Sequence, residues 1–522
     1  MSDPLDLLII GGGASGASVA YEAVCRGLRV ALLEGADIGA GTSCRSTKLL
    51  HGGVRYLELA FKTADPAQFR LVREALLERG HWLEQAPFLA HRLELALPTT
   101  NVVGQGYYRI GLGLYDALAG RTGIGASRWL SKAQLEQALP LLKPGLNGGV
   151  AYSDGQFDDA RLNLLLALSA EQAGAQLHTG CRVTKLEKTP EGRICGAISL
   201  TADGREQRWS ARVVVNATGM QSDAIRRMAD PDLAERMLTS RGVHLVLKAN
   251  LCPEGVGLLL PATDDGRVLF MLPFFGRTLV GTTDTACDIA TASAPSAEEQ
   301  EYLLAYVRRW FPQLSDLSVG SCWAGGRPLL RPSGDDRNSS RVVREHEVET
   351  LPSGLVSVMG GKWTTCRPMA IDTLEAVAAQ LERPLPPRQA LPLLGSATVP
   401  GQTSALLSQQ RQELEALLPN TALRTAQANH LHSNFGLRAP ALVGGWSESD
   451  RQPLSEVIPI CRGELHHAIH SEHARSATDV LARRCRLAMV DQSEAERLVP
   501  LVNELLEDQG YAAGGQSLNL AH

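Results

Sequence analysis

The chain has 522 residues, 44% of them hydrophobic, enough to bury more than one core and to make disorder the wrong default. Lys and Arg number 51 against 56 Asp and Glu; the net charge of -5 excludes a general nucleic-acid binder and requires that an anionic ligand be met by locally clustered arginines. The ten cysteines include no CxxC pair, so neither a metal centre nor a disulfide framework is expected, and a reducing, cytoplasmic compartment fits.

From Asp6 to Glu34 the pattern is strand, glycine turn, helix, strand: Leu7-Leu8-Ile9-Ile10, then Gly11 to Gly16, an alanine-rich stretch, then Val30-Ala31-Leu32-Leu33. That is one βαβ unit. Ahead of it, Met1-Ser2-Asp3-Pro4 lacks the basic start of a signal peptide. Apolar residues at helical spacing predict a helix over 69–83, whereas 95–118 is mixed and its type stays open. A further helix is expected over 160–174, and Arg212-Val213-Val214-Val215-Asn216 reads as a buried strand. The alternation from Val243 to Thr283, with turn pairs such as Asp265-Gly266, predicts antiparallel sheet.

Pro384-Leu385-Pro386-Pro387 marks a domain boundary, after which the pattern is mostly helical. Ala477, Val480 and Leu481 share a helix face there. Ser493 with Glu496 has the spacing of a capping box, and Pro500 predicts a kink in the helix that follows. No apolar run approaches the roughly 20 residues that cross a bilayer.

Gly11-Gly12-Gly13-Ala14-Ser15-Gly16 matches G-x-G-x-x-G after a strand and before a helix. Gly11 permits the tight turn, Gly13 lets the backbone approach a pyrophosphate at the helix N-terminus, and Gly16 lets helix and strand pack closely. Glu34 ends the second strand, where an acid accepts the ribose hydroxyls of a dinucleotide. The bland alternative is a ligand-free glycine turn. The unit does not by itself separate FAD from NAD.

A second passage does. Gly41-Thr42-Ser43-Cys44-Arg45-Ser46-Thr47-Lys48-Leu49-Leu50-His51-Gly52-Gly53-Val54-Arg55-Tyr56-Leu57-Glu58 is a hydroxyl-rich turn followed by a helix pattern with His51 and Arg55 at i and i+4. Chemically it could be a polar loop with a solvated arginine, but the string resembles the signature of the FAD-dependent, respiratory glycerol-3-phosphate dehydrogenases. The resemblance extends through 69–79, Leu114-Tyr115-Asp116, Tyr152-Ser153-Asp154, Phe157 to Arg161, Asn216 to Gly219, Gly281 to Asp284, Gly326 to Leu329 and Gly360 to Thr365. It is looser in the C-terminal part, resting on Asp479 to Arg484.

This resemblance implies an α/β chain with a Rossmann-like FAD-binding domain, an antiparallel-sheet substrate domain and a C-terminal helical cap. Residues 1–385 would form the oxidoreductase region, with FAD segments about 1–80, 150–220 and 330–385 and substrate segments about 81–149 and 221–329; 386–522 would form the cap. Gly11, Gly13, Ala14, Ser15, Gly16 and Glu34 would hold the ADP half of FAD. Thr42, Ser43, Ser46, Lys48 and Leu49 would follow the pyrophosphate and flavin, with Gly361, Lys362, Trp363 and Thr364 closing over the ring. His51, Arg55, His244, Thr283 and Arg327 would face glycerol 3-phosphate.

Two guanidinium forks suit a near-dianionic phosphate monoester better than lysines would, although a single arginine is commonly just a surface ion pair. The implied chemistry removes the C2 hydroxyl proton to a base, His51 or His244, while the C2 hydride goes to FAD, dihydroxyacetone phosphate forms, and a membrane quinone takes the electrons. For either histidine the bland reading is a structural hydrogen bond.

Tyr107-Tyr108-Arg109-Ile110 could sit at lipid headgroup level, for a peripheral protein on the cytoplasmic face of the inner membrane, or could be a partly buried helix. A homodimer stays open. Met220-Gln221, Val243 before His244, and Cys366 depart from the family pattern, and no acidic EF-hand loop is present, so calcium regulation is not expected. The rival readings are an oxidase of the same family that uses dioxygen, against which the absence of a long insertion counts, and a flavin-binding scaffold without turnover.

Overall fold

The computed structural model describes residues 4–53, 66–261, 263–264, 266–331, 346–512, 515, 517–518 and 520. Among these, an eight-stranded sheet has the spatial order His346–Thr350, Val356–Gly360, Glu206–Asn216, Leu5–Ile10, Val30–Leu33, Gln176–His178, with Cys181–Lys188 and Ile194–Thr201 attached beside Glu206–Asn216. Leu5–Ile10 lies parallel to both of its neighbours. A parallel strand is covered on both faces, which is why Leu7, Leu8, Ile9, Val213, Val214 and Val215 form unbroken apolar runs and are all buried. The helices Ala14–Val24, Asp159–Gln172 and Cys366–Gln380 stack on one face, where the small side chains Ala17, Ala20 and Ala23 let them approach closely.

The second sheet has ten strands among the described residues: Thr285–Ala286, Met237–Leu247, Arg277–Gly281, Leu269–Phe274, Val256–Leu260, Ala90–Pro98, Gly149–Phe157 and Leu49–Leu50 in order, plus Val319–Leu330 on Met237–Leu247 and Arg128–Leu130 on Gly149–Phe157. The expected antiparallel pattern over 243–283 is present, although Val256–Leu260 runs parallel to Ala90–Pro98. Asp265 of the expected turn pair lies outside the described residues. Gly149–Phe157 belongs to this second sheet, whereas the sequence reading counts residues from 150 with the FAD segments. All nine of its residues are buried, so its composition could not tell which sheet it joins. The open stretch 95–118 resolves into the end of Ala90–Pro98 and the helix Val102–Ala119, whose first turn is capped by Asn101 accepting from the Gly104 amide at 2.7 Å.

The C-terminal part is helical, and only its first portion has a core of its own, built by Leu414, Leu431, Phe435 and Val443. The remainder shares a core with the second sheet: Leu487, Met489 and Val499 pack with Val246, Leu272 and Trp323. One local expectation differs. The helix Gln492–Glu507 is capped by Asp491, which accepts from the Glu494 amide, rather than by Ser493; Ser493 instead donates to Asp491 at 2.7 Å. That helix continues through Pro500 as one element.

Buried charge fastens the C-terminal part to the sheet layers. Arg161 donates two hydrogen bonds to Glu472, at 2.7 and 3.0 Å. Burial alone would raise the Glu472 carboxyl, but Arg161, helped by His467 and Arg484, holds it down to about 2 against an ordinary 4.5. A depressed carboxylate gives its full stabilisation above the unfolded-state pKa and loses it as pH falls through the folded one. Acid unfolding is therefore expected to steepen between pH 4.5 and about 2, and Glu472→Gln to flatten that interval; superimposable curves would show that the pair does not govern acid stability.

Candidate functional site

Between the two sheets lies a cleft of about 630 Å³. One end is built by the glycine turn. Gly11 has φ +104°, and a Cβ there would lie 2.7 Å from the Ala217 carbonyl oxygen; a Cβ on Gly16 would overlap the Gly11 oxygen. Neither position accepts a side chain. The helix Ala14–Val24 therefore starts against the cleft floor, with its N-terminus suited to an anion. Glu34 accepts from the Gly12 amide through Oε2 at 2.7 Å and from the Ala36 amide through Oε1 at 2.8 Å. Each oxygen keeps a lone pair for a ribose hydroxyl.

The hydroxyl-rich loop forms the long wall. Ser43 Oγ accepts from the Ala14 amide at 2.9 Å, the Trp363 indole donates to the Ser43 carbonyl at 3.0 Å, and Thr42 donates to the Gly326 carbonyl. Ser46 is held by its amide on Asp159 at 2.9 Å. Trp363 sits edge-on to Phe157 and Trp82, which fixes its plane beside Gly361, Lys362 and Thr364 at the cleft edge.

His244 and Arg327 line the same cleft from paired strands, near enough that the guanidinium charge acts on the imidazole. His244 is buried, its ring stacked on Trp323 with centroids 4.3 Å apart, and its Nε2 lies 3.0 Å from Thr47 Oγ1. Its Nδ1 is buried with no hydrogen-bond partner of good geometry. Burial first, then Lys48 and Arg327, pushes this imidazole well below its ordinary value, so it is neutral. The Arg327 guanidinium is braced by the Thr283 carbonyl at 2.9 Å, Thr282 Oγ1 at 3.2 Å and Asp284 at 3.3 Å. Gly242 leaves the space that this guanidinium fills. His51 lines the same cleft, half-buried.

Of the residues expected from the sequence, Gly11, Gly13, Ala14, Ser15, Glu34, Thr42, Ser43, Ser46, Leu49, His51, His244, Arg327, Gly361, Lys362, Trp363 and Thr364 share the cleft wall. Gly16 lies just behind it. Lys48 does not face the cleft: its ammonium is fully buried, 2.7 Å from both Asp159 oxygens and 4.7 Å over the Trp323 ring, and burial lowers it to about 8 against the pull of Asp159. Thr283 is likewise turned away, donating to Glu299 at 3.0 Å and accepting from the Val243 amide. Arg55 lies outside the described residues.

Sequence reasoning passed over Arg45, Thr47, Arg182 and Ser293, which also line the cleft. Arg45 and Thr47 stand inside the quoted loop, but the string does not say which of its side chains turn to the cleft. Arg182 and Ser293 carry no motif. Among the described residues the wall thus holds the cations Arg45, Arg182, Arg327 and Lys362 and a single carboxylate, Glu34. Such a cleft favours a ligand with several negative charges, and Arg327, His244 and His51 can together bind a phosphate and handle a proton.

Comparison with known proteins agrees with this geometry. Residues 6–369 match the FAD dependent oxidoreductase family model, and 388–510 match the C-terminal domain of alpha-glycerophosphate oxidase. The chain is 39% identical to the mitochondrial glycerol-3-phosphate dehydrogenase of Arabidopsis thaliana, over 97% of this chain and 83% of the relative. It is 38% identical to the mitochondrial glycerol-3-phosphate dehydrogenase of Homo sapiens, over 96% of this chain and 70% of that one. The structure of glycerol-3-phosphate dehydrogenase from Bacillus halodurans, complexed with FAD, superposes with a TM-score of 0.76 at 27% identity, covering 97% of this chain and 91% of the other.

Proposed function

The chain belongs to the FAD-dependent oxidoreductase family, among its glycerol-3-phosphate dehydrogenases, and from that premise we propose that it draws electrons from glycerol 3-phosphate and delivers them to a membrane quinone. It is an FAD enzyme that oxidises the C2 alcohol of sn-glycerol 3-phosphate to dihydroxyacetone phosphate. The observation that carries the site reading is the braced Arg327 guanidinium near a neutral His244 in a cleft whose charged residues, among those described, are four cations and Glu34.

In this reading FAD is held by the Gly11–Gly16 turn and Glu34 at one end and by Thr42, Ser43 and the 361–364 segment at the other. When bound, it supplies the two-electron acceptor for the C2 hydrogen. Arg327, braced by Thr282, Thr283 and Asp284, meets the phosphate with its fixed positive charge and the N–H that this brace leaves, and so fixes C2. His51 takes the hydroxyl proton. His244, locked on Trp323 and Thr47, serves as a neutral hydrogen-bonding partner, since an imidazole with so depressed a pKa is a poor base. His51→Asn is expected to slow anaerobic flavin reduction by about two orders of magnitude and His244→Asn by less; wild-type rates in His51→Asn would remove it from the base role.

In the same reading residues 1–385 carry cofactor and substrate while 386–522 brace them, in the cytoplasm or on the cytoplasmic face of the inner membrane. The ten cysteines, without a CxxC pair among them, fit a reducing compartment. No described helix is long and apolar enough to cross a membrane. The helix Val102–Ala119 does, however, expose an apolar stripe at helical spacing: Val103 is 84% exposed, Tyr107 55%, Ile110 70% and Leu114 40%. Arg121 and Arg128 are exposed nearby in sequence, with Trp129 48% exposed, a composition suited to the headgroup boundary of an anionic bilayer. Ile110→Asp with Val103→Asp is expected to weaken binding to anionic vesicles at least about tenfold, leaving turnover with a soluble dye intact; undiminished vesicle binding would move the membrane face elsewhere.

A further inference from the structure

Three segments that resemble the family, yet have no part in the site as described, meet at one point. Arg79 ends the first, Tyr115 is the centre of Leu114-Tyr115-Asp116, and Asp154 ends Tyr152-Ser153-Asp154. All three are buried. Arg79 donates to Asp154 Oδ1 at 2.7 Å and to the Ser153 carbonyl at 3.2 Å. The Tyr115 hydroxyl donates to Asp154 Oδ1 at 2.9 Å and also lies 3.1 Å from Oδ2. The same hydroxyl oxygen accepts from the Gly52 amide at 2.7 Å.

Gly52 is the residue after His51. A Cβ on Gly52 would lie 2.7 Å from Leu76 Cγ and 2.8 Å from the Tyr115 oxygen, so the backbone is clamped against helix side chains with no room to spare. Tyr115 stands edge-on to Tyr152, with centroids 5.9 Å apart, and Arg79 lies over its face at 5.9 Å, which leaves the phenol one orientation. Burial lifts the Asp154 carboxyl to about 6 despite Arg79 beside it, so near neutral pH it is a carboxylate and fixes the direction of the Tyr115 O–H. With its proton committed to Asp154, the hydroxyl presents a lone pair to Gly52. A buried chain from Arg79 through Asp154 and Tyr115 therefore ends on the amide adjoining a histidine that lines the cleft.

We propose that Tyr115, oriented by Asp154 and Arg79, is a positioning residue that sets the His51 imidazole against the substrate hydroxyl. The proposal rests on the reading of His51 as the base. Its energetic logic is one of placement: a base within reach of the C2 hydroxyl must hold hydrogen-bond distance, and a displacement of about 1 Å can cost on the order of a hundredfold in rate. Tyr115 touches neither substrate nor cofactor, so its contribution must vanish once His51 is gone.

The test uses the FAD-loaded enzyme and anaerobic reduction by glycerol 3-phosphate in four forms: wild type, Tyr115→Phe, His51→Asn and the double variant. Tyr115→Phe is expected to slow reduction about ten- to a hundredfold, with apparent substrate affinity within about twofold and flavin content unchanged. The double variant is expected to be no slower than His51→Asn. A wild-type rate in Tyr115→Phe, or a double variant slower by the full product of the single effects, overturns the proposal. If Tyr115→Phe does not retain FAD, Asp154→Asn is read in its place against the same two outcomes. A wild-type rate in His51→Asn removes the base reading and the proposal with it, whereas a slow His51→Asn beside a fast Tyr115→Phe removes the proposal alone.

Discussion

Replacing Arg327 by methionine is expected to lower kcat/KM for glycerol 3-phosphate by about two to three orders of magnitude while FAD stays bound. The guanidinium is held by three protein acceptors before substrate arrives, so little entropy remains to be lost on binding. Truncating one partner of a desolvated charge pair costs roughly 2–5 kcal/mol. Each 1.36 kcal/mol is about tenfold in rate. Arg327→Lys is expected to recover only part of the loss, because a single ammonium cannot keep the brace to Thr282, Thr283 and Asp284 and reach the phosphate at the same time. Asp284 keeps its contact with Ser240 in either variant, so the fold has no reason to fail. Initial-rate kinetics decides: a methionine variant within about threefold of wild type would place the phosphate elsewhere.

The second large effect is on flavin retention. Asp37 lies three residues beyond Glu34, on the loop that leads into the cleft wall, and is buried. Arg484 donates to both of its oxygens at 2.7 Å and Arg483 to Oδ2 at 2.6 Å, from a helix of the C-terminal part. Burial alone would raise this carboxyl, yet the two arginines hold it below its ordinary range. Two residues on, Arg486 reaches the Cys44 carbonyl and Asp159, each at 3.3 Å. The C-terminal part thus grips the loop that carries Thr42, Ser43 and Ser46 both ahead of Thr42, at Asp37, and between Ser43 and Ser46, at Cys44. Asp37→Ala removes the carboxylate that two buried guanidiniums share, leaving Arg483 to Asp479 and Arg484 to the Glu472 carbonyl, and breaking such a buried pair costs about 3–5 kcal/mol. Lower stability and faster loss of FAD are expected, with partial recovery when Arg484→Met is added. Thermal unfolding and flavin fluorescence read both quantities, and an Asp37→Ala protein as stable and as yellow as wild type would refute the clamp.

What was legible in the sequence divides by range. The strand, glycine turn, helix and acid from Leu7 to Glu34 could be read because each demand is local: a φ that only glycine tolerates, a close approach, a terminal carboxylate. Within the hydroxyl-rich loop the residue types were informative but their directions were not. Thr47 turns to His244 while Lys48, its neighbour, turns to Asp159, and nothing in the string says which of the two enters the cleft. Thr283 shows the same limit, its hydroxyl spent on Glu299 behind Arg327. Trp323, which stacks on His244, and Tyr115, which holds Gly52, come from distant segments whose only signal is their place in the fold. The start of Gln492–Glu507 was misplaced by two residues because Asp491, tied to Arg277 at 2.8 Å, caps it where Ser493 had the better textual spacing.

Anaerobic addition of glycerol 3-phosphate to the purified flavoprotein tests the central claim most directly, with the visible flavin band as the signal and a soluble quinone analogue or oxygen admitted afterwards. The account predicts that the band bleaches within the mixing time of a manual assay, returns rapidly with the quinone and only slowly with oxygen. A band that stays oxidised in the presence of this substrate, from tightly bound FAD, would contradict it.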